Sequence, residues 1–316
     1  MKLNLTPTLI ASVLSLAMTA TAFTQETALQ ASQKFISLSA VNGHQAQSAR
    51  LVITNTSEEA VVCDLKLVGA NPDAFELGQV PERLAPGKSA EITVTFRKTE
   101  KAFRHSASLQ LGPKGEGGAI TFQGIGQQQF EGKNEPPLQD IVNTFGMAIK
   151  VGGANLHLDT KAQTLGESIV AAEFNGITGK QIRLTPLARY SPTGAAPFGC
   201  FIEGTKLELG KLVDSSEAFP DAHQCLFPGI VGNKKWIIFE APRLPFSLYF
   251  EGHKQLSCTD NSIPTTAKIK HTARVYPVTS FQGRNLENAY LVGFEEASNG
   301  DYQDALFLIE NVVIAK

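Results

Sequence analysis

The stretch Gly293-Phe294-Glu295-Glu296-Ala297-Ser298-Asn299-Gly300-Asp301-Tyr302-Gln303-Asp304-Ala305-Leu306-Phe307 gathers hard oxygen donors at one sharp turn. Apolar runs at 290–292 and 305–309 predict a buried strand on each side, with Asn299-Gly300 as the turn signal between them. Carboxylates crowded at such a turn repel one another unless a cation or a hydrogen-bond network holds them. Calcium takes six to eight oxygens at about 2.3–2.6 Å and accepts amide and carbonyl donors beside carboxylates. Glu296, Asn299, Asp301, Gln303 and Asp304 are therefore the candidate ligands, and calcium the candidate ion. A second reading stands beside this one: Asn299-Gly300 forms a type I′ hairpin turn and the acids face water.

Other residue types offer less. The histidines at 44, 105, 157, 223, 253 and 271 fall in no H-E-x-x-H or H-x-H arrangement. His271 shares a strand face with Ile269 and Ala273, which suits an interior imidazole with its partners satisfied. Nucleophile-elbow, phosphate-loop and thiolate–histidine patterns are missing, so nucleotide and hydrolase chemistry loses its usual sequence support. Glu240 and Glu251 read as strand-end acids facing solvent, although a carboxylate pair for glycoside hydrolysis can lie far apart in a chain. Tyr190, Tyr249, Tyr276, Tyr290 and Trp236 are the candidates for an aromatic sugar platform, but Trp236 precedes Ile237-Ile238-Phe239 and is expected in the core.

The elements that must position these groups are strands. Seven short alternating segments, 34–41, 49–54, 60–67, 74–77, 89–96, 106–111 and 119–124, occupy residues 32–126 and predict an immunoglobulin-like sandwich. In 89–96 strict alternation would bury Ile92, Val94 and Phe96 behind the Pro86-Gly87 turn. The polar segment 127–137 reads as a linker stiffened by Pro136-Pro137. Leu138, Ile141, Val142 and Phe145 come next, at helical spacing. From 138 to 316 strands return, at 147–151, 169–174, 181–187, 206–209, 236–240, 246–250, 267–276, 289–294 and 305–309, and predict a larger jelly-roll-like sandwich. The fold class is all-β.

Particular residues carry two resemblances. Leu51-Val52-Ile53-Thr54-Asn55-Thr56, Gly69-Ala70-Asn71-Pro72-Asp73-Ala74-Phe75-Glu76-Leu77, Leu84-Ala85-Pro86-Gly87-Lys88 and Phe122-Gln123-Gly124-Ile125-Gly126 together resemble the hydin-type (ASH) immunoglobulin-like module. That resemblance implies a fold and a spacer or interaction role rather than catalysis. One departure is Arg97-Lys98, where many relatives place a proline. The C-terminal stretch resembles the end of the DUF4114-like group of secreted β-sandwich domains, in which an acid comes after Gly-Phe-Glu and Asp-aromatic-Asn-Asp precedes the last strand. Here Glu296 stands for the usual Asp, Asp301, Tyr302 and Asp304 match, and Gln303 replaces Asn.

Lys2, the apolar run 9–18 and Ala20-Thr21-Ala22 have the layout of a secretory signal over residues 1–22, which places the mature chain outside the cytoplasm, secreted or periplasmic. No later segment approaches the roughly 20 apolar residues of a membrane span. With a net charge of -2 and no basic stripe, nucleic acid is a poor partner. An extracellular glycan or a cell-surface protein fits better. The cysteines are 63, 200, 225 and 258. Cys63 shares a strand face with Leu65 and Leu67 and is expected to be a core thiol, while among Cys200, Cys225 and Cys258 an oxidising compartment favours one disulfide, with Cys200 and Cys225 the first choice.

These observations point to a secreted, non-catalytic binding or adhesion protein. An exported polysaccharide hydrolase and a structural envelope component are the alternatives. Sequencing the N-terminus of exported protein checks the address: the first residue should be Phe23 or lie within a few residues of it, and recovery of intact Met1 in a soluble cytosolic fraction would overturn export.

Overall fold

The computed structural model describes residues 28–97, 103–112, 118–153, 161–213, 224–253, 255–267 and 269–316. The expected signal at 1–22 lies outside them. No helix among the described residues is long and apolar enough to cross a membrane.

The first ten strands are β1 (Leu29–Ala31), β2 (Phe35–Val41), β3 (Ser48–Asn55), β4 (Val61–Val62), β5 (Leu65–Val68), β6 (Phe75–Leu77), β7 (Arg83–Leu84), β8 (Ser89–Phe96), β9 (Phe103–Leu111) and β10 (Ala119–Gln127). They form two four-stranded sheets, ordered β1-β3-β8-β6 and β2-β10-β9-β5, with β4 and β7 paired beside them. This is the expected immunoglobulin-like sandwich. Alternation along β8 buries Ile92, Val94 and Phe96 on one face, where they meet Leu51 and Ile53 of β3 and the facing sheet's Leu109 and Phe122. The Phe75 ring sits 5.4 Å from Phe96 and 5.5 Å from Phe122, a tilted aromatic cluster at the centre of the core. The expected strand 60–67 is interrupted at Cys63-Asp64, although Cys63, Leu65 and Leu67 still line one face against the core.

A 3-10 turn, Gly132–Asn134, and the helix α1 (Leu138–Thr144) connect the first sandwich to the rest of the chain. Leu138, Ile141, Val142 and Phe145 are buried, so the helical stripe is core. The helix ends in a Schellman motif: Gly146, at φ +67°, donates to the carbonyl of Asn143, and Met147 to that of Val142. Met147, Ile149 and Val151 are buried as their alternation suggests, but 147–151 joins no ladder and is not the expected strand. It is held instead by Gln139, whose amide bonds the Ile149 carbonyl and the Val151 N–H.

The remaining strands are β11 (Phe174–Gly176), β12 (Ile182–Tyr190), β13 (Ala196–Ile202), β14 (Thr205–Leu212), β15 (Gln224–Leu226), β16 (Ile237–Phe239), β17 (Phe246–Gly252), β18 (Gln255–Cys258), β19 (Ala273–Pro277), β20 (Ser280–Phe281), β21 (Arg284–Asn285), β22 (Ala289–Phe294), β23 (Ala305–Glu310) and β24 (Val312–Ile314). One six-stranded sheet runs β14-β13-β17-β11-β24 with β18 on β17, and the other β15-β12-β23-β22-β19 with β16 on β12, giving the larger, jelly-roll-like sandwich. Phe198, Phe250, Phe294 and Phe307 pack between the sheets. Of the expected strand 169–174, only a bridge from Ile169 to Val275 and the start of β11 form. The strand β13 carries Pro197 and Gly199 and a bulge at Phe198/Gly199, which hid it from propensity reasoning.

The four cysteines form no disulfide, so the expected Cys200–Cys225 bridge is corrected. The chain commits the two residues to opposite sheets, Cys200 on β13 and Cys225 on β15.

Side chains of the first sandwich reach across to the second. Ser39 Oγ accepts from the Leu226 N–H at 2.9 Å, Gln47 Nε2 donates to the Leu226 carbonyl at 2.6 Å, and Ser37 Oγ donates to the Thr144 carbonyl at 2.8 Å. Ile125, at the end of β10, shares a core with α1, Leu187, Ala188 and Leu226.

Phe122→Ala should lower the unfolding free energy by about 3–5 kcal/mol in urea titration, the usual cost of truncating a buried aromatic. The exposed Lys88→Ala should stay within about 0.5 kcal/mol. A loss below about 1 kcal/mol for Phe122→Ala would mean that this ring is not a core anchor.

Candidate metal centre

Strands β22 and β23 pair from Ala289↔Glu310 to Phe294↔Ala305, and residues 295–304 form the connection. It is not a two-residue type I′ turn: that turn needs positive φ at both central residues, and here Gly300 (φ +78°) and Tyr302 (φ +55°) are left-handed while Asn299 is not. Tyr302 is fully buried, and its hydroxyl holds the strained backbone by donating to the His271 carbonyl at 2.9 Å and accepting from Arg274 Nη2 at 3.2 Å. The loop therefore folds inward. Glu295, Glu296, Asp301, Gln303 and Asp304 are each at most 5% exposed, so the reading in which the acids face water is corrected.

Glu295, which is absent from the ligand set expected from the sequence, is the anchor. Its Oε2 accepts the backbone N–H groups of Gly300 at 2.9 Å and Asp301 at 3.0 Å, and its Oε1 accepts that of Ala297 at 2.8 Å. The loop is wrapped around this carboxylate. Asp304 Oδ2 accepts the Glu296 N–H at 2.5 Å, closing the loop from the other side. Carboxylate oxygens of Glu295, Asp301 and Asp304 lie within 4.8 Å of one another, close enough for one ion at calcium's bonding distance to touch all three. A run of Glu-Glu directly after an inward-facing Phe294 was the signal that could have found Glu295.

The other expected ligands surround this trio. Asn299 is half-buried and donates its Nδ2 to Asp301 Oδ2 at 2.7 Å. Gln303 Nε2 donates to the same oxygen at 3.3 Å and to Glu135 Oε2 at 3.1 Å. Glu296 packs its carboxylate against Gly252 of β17, where an added Cβ would meet Oε2 and displace it. Three buried oxygens of these residues, Glu296 Oε2, Asp301 Oδ1 and Gln303 Oε1, have no hydrogen-bond partner. Unpaired oxygens in a dry interior are costly unless a cation or proton meets them.

Charge makes the same point. Glu135, Glu295, Glu296, Asp301 and Asp304 converge, with the buried guanidinium of Arg189 nearby on β12. Burial pushes the Glu135 and Glu296 carboxyls up to about 7, with Arg189 drawing Glu296 back down. Asp301 is pushed up to about 8, by burial first and then by Glu295 and Glu135. Burial and the neighbouring acids raise Asp304 well above the usual carboxylate range. Arg189 donates to Ser191 Oγ and to the carbonyls of Val213, Pro192 and Gly194.

The sequence-selected residues elsewhere lie apart from this cluster. His271 is buried, as expected, with Nδ1 and Asn261 Nδ2 2.9 Å apart, but its Nε2 has no hydrogen-bond partner, and burial lowers its basicity. It precedes β19 rather than lying within it. Glu240 accepts from Gln181 at 2.7 Å at the surface, and Glu251 pairs with Lys206. Tyr190, Tyr249 and Tyr276 are buried and cannot form a sugar platform, whereas Trp236, expected in the core, is 42% exposed with the Arg183 guanidinium 4.2 Å from its ring centre. The alternation of β16 turns Ile237 inward and Trp236 outward.

No family model matches this chain, and no curated protein does. Among solved structures, an ASH / PapD-like domain of human CEP192 is 16% identical over 40% of this chain and 100% of that one, with a TM-score of 0.25. The periplasmic chaperone SfaE is 9% identical over 84% and 100% of the two chains, with a TM-score of 0.27. The E. coli chaperone DraB is 6% identical over 71% and 91%, with a TM-score of 0.25.

Proposed function

We propose that this chain is an exported, non-catalytic binding or adhesion protein whose C-terminal domain is stabilised by a calcium ion in the 295–304 loop. Its domains on this reading are an immunoglobulin-like unit at 32–126, a linker at 127–137 and a jelly-roll-like unit at 138–316, and its partner is an extracellular glycan or a cell-surface protein. The observation that carries it is the trio Glu295, Asp301 and Asp304, gathered within one ion's reach beside unpartnered buried oxygens. All-oxygen donors without thiolate or imidazole suit a hard cation. Deep burial keeps these particular carboxylates, at most 5% exposed, out of reach of a polysaccharide, so the cluster itself would not serve as a hydrolase pair. For glycan contact, Trp236 and the half-buried Tyr290 remain as candidates.

An ion that binds only the folded state adds RT ln(1 + [L]/Kd), about 2.7 kcal/mol when calcium is a hundredfold above Kd. For a domain of this size the melting temperature should rise by roughly 5–10 °C. Asp301→Asn and Asp304→Asn should each remove most of that rise, as read by calorimetry, without unfolding the calcium-free protein, since a mutual repulsion is relieved. Identical melting curves in EDTA and in millimolar calcium would overturn the calcium reading.

The pH dependence has a definite sign. Glu135, Glu296, Asp301 and Asp304 all have folded-state pKa values raised above those of the unfolded chain. The folded state therefore holds more protons than the unfolded one, and stability is lost as pH rises from about 4 to about 8. In EDTA the melting temperature should fall across that window, and calcium, replacing the protons, should flatten the fall. Equal slopes with and without calcium would show that the ion does not neutralise these acids.

A further inference from the structure

We infer that the cation site is shared between the two sandwiches through Glu135, so that ion binding couples the interdomain segment to the 295–304 loop. This rests on the calcium reading above and adds to it a ligand-side residue and a consequence for domain arrangement.

Glu135 lies just before Pro136-Pro137, between β10 and α1, and is buried. Its Oε2 and the Oδ2 of Asp301 accept from one and the same nitrogen, Gln303 Nε2. Two carboxylates that grip one neutral amide stay mutually repulsive, because a single NH2 group offers two protons and no charge. A cation at Glu295, Asp301 and Asp304 would remove that repulsion and draw Glu135 inward. On its far side, Glu135 Oε1 accepts from Gln224 Nε2 at 3.3 Å, and Gln224 Oε1 accepts from Gln127 Nε2 at 3.0 Å. Gln127 is the last residue of β10 in the first sandwich and Gln224 the first of β15 in the second. The relay thus runs from the first sandwich, through the interdomain segment, to the loop. Its members, Gln127, Gln224, Glu135, Gln303 and Asp301, are all at least nine-tenths buried, so water cannot substitute cheaply for a lost contact. The unpartnered oxygens of Glu296, Asp301 and Gln303, and of Gln127 at the other end, mark the relay as short of positive charge and of donors.

Hydrogen–deuterium exchange on the full chain, with and without millimolar calcium, reads the coupling. Calcium should slow exchange at 295–304 and also at 131–138 and in β15. Glu135→Gln keeps an acceptor for the neighbouring amides but loses the charge. It should weaken calcium binding about tenfold by titration calorimetry, the usual scale for a supporting residue at a metal site, and abolish the calcium-dependent protection at 131–138 while leaving that at 295–304. Protection of the wild type confined to 295–304, or an unchanged affinity in Glu135→Gln, overturns the coupling and leaves the calcium reading standing. No calcium-dependent protection anywhere overturns both. The wild-type comparison decides the matter by itself if the variant does not fold.

Discussion

Burial of like charges is the constraint on which the C-terminal half of this protein depends. Five carboxylates, Glu135, Glu295, Glu296, Asp301 and Asp304, are taken out of water close to one another, with Arg189 as the nearby guanidinium. In a low-dielectric interior such a set is untenable as free anions, and protons, hydrogen bonds or a cation must answer each charge. Backbone N–H groups answer Glu295, so the loop is shaped by that carboxylate rather than by a turn preference. Neutral donors answer part of the charge on Glu135, Asp301 and Asp304, whereas Glu296 Oε2 and Asp301 Oδ1 have no hydrogen-bond partner.

The apolar framework makes this burial possible. Phe294 and Phe307 pin β22 and β23 into the intersheet core, and their pairing fixes where the loop begins and ends. Tyr302, in a left-handed conformation, turns its ring onto the Arg274 guanidinium, 4.8 Å away, and thereby sends Asp301, Gln303 and Asp304 inward. Gly252 leaves room for Glu296 on the opposite sheet. Each feature contributes modestly, yet together they fix a loop that would otherwise relax toward solvent.

The junction between the sandwiches is built from two kinds of contact. Ile125, Leu187, Ala188 and Leu226 supply an apolar seam with α1, which is insensitive to pH and salt. The Gln127–Gln224–Glu135–Gln303 chain supplies a polar one, which responds to charge.

The all-β class, the two sandwiches and the stripe of α1 were legible in the sequence, because period-2 and period-3.6 burial is a local property that each segment declares alone. Residues 89–96 show it plainly, and β13 shows the limit, since Pro197 and Gly199 carry weak strand preference and only pairing with β14 and β17 makes them strand. The C-terminal acids were legible as a cluster, but not as buried. Whether Asn299-Gly300 makes a tight hairpin depends on Tyr302 finding His271 and Arg274, partners about thirty residues away. Cys200 and Cys225 could not be assigned to opposite sheets, nor Trp236 to the surface, without the order of the strands. By itself the sequence determined the all-β class, the alternation of strands such as 89–96 and the presence of an acid-rich connection between the last two long ones. Tertiary structure alone decided that Glu295 anchors that connection and that Glu135, some 160 residues earlier in the chain, meets it, because desolvation and charge proximity are set by which groups pack together in space rather than by which are neighbours along the chain.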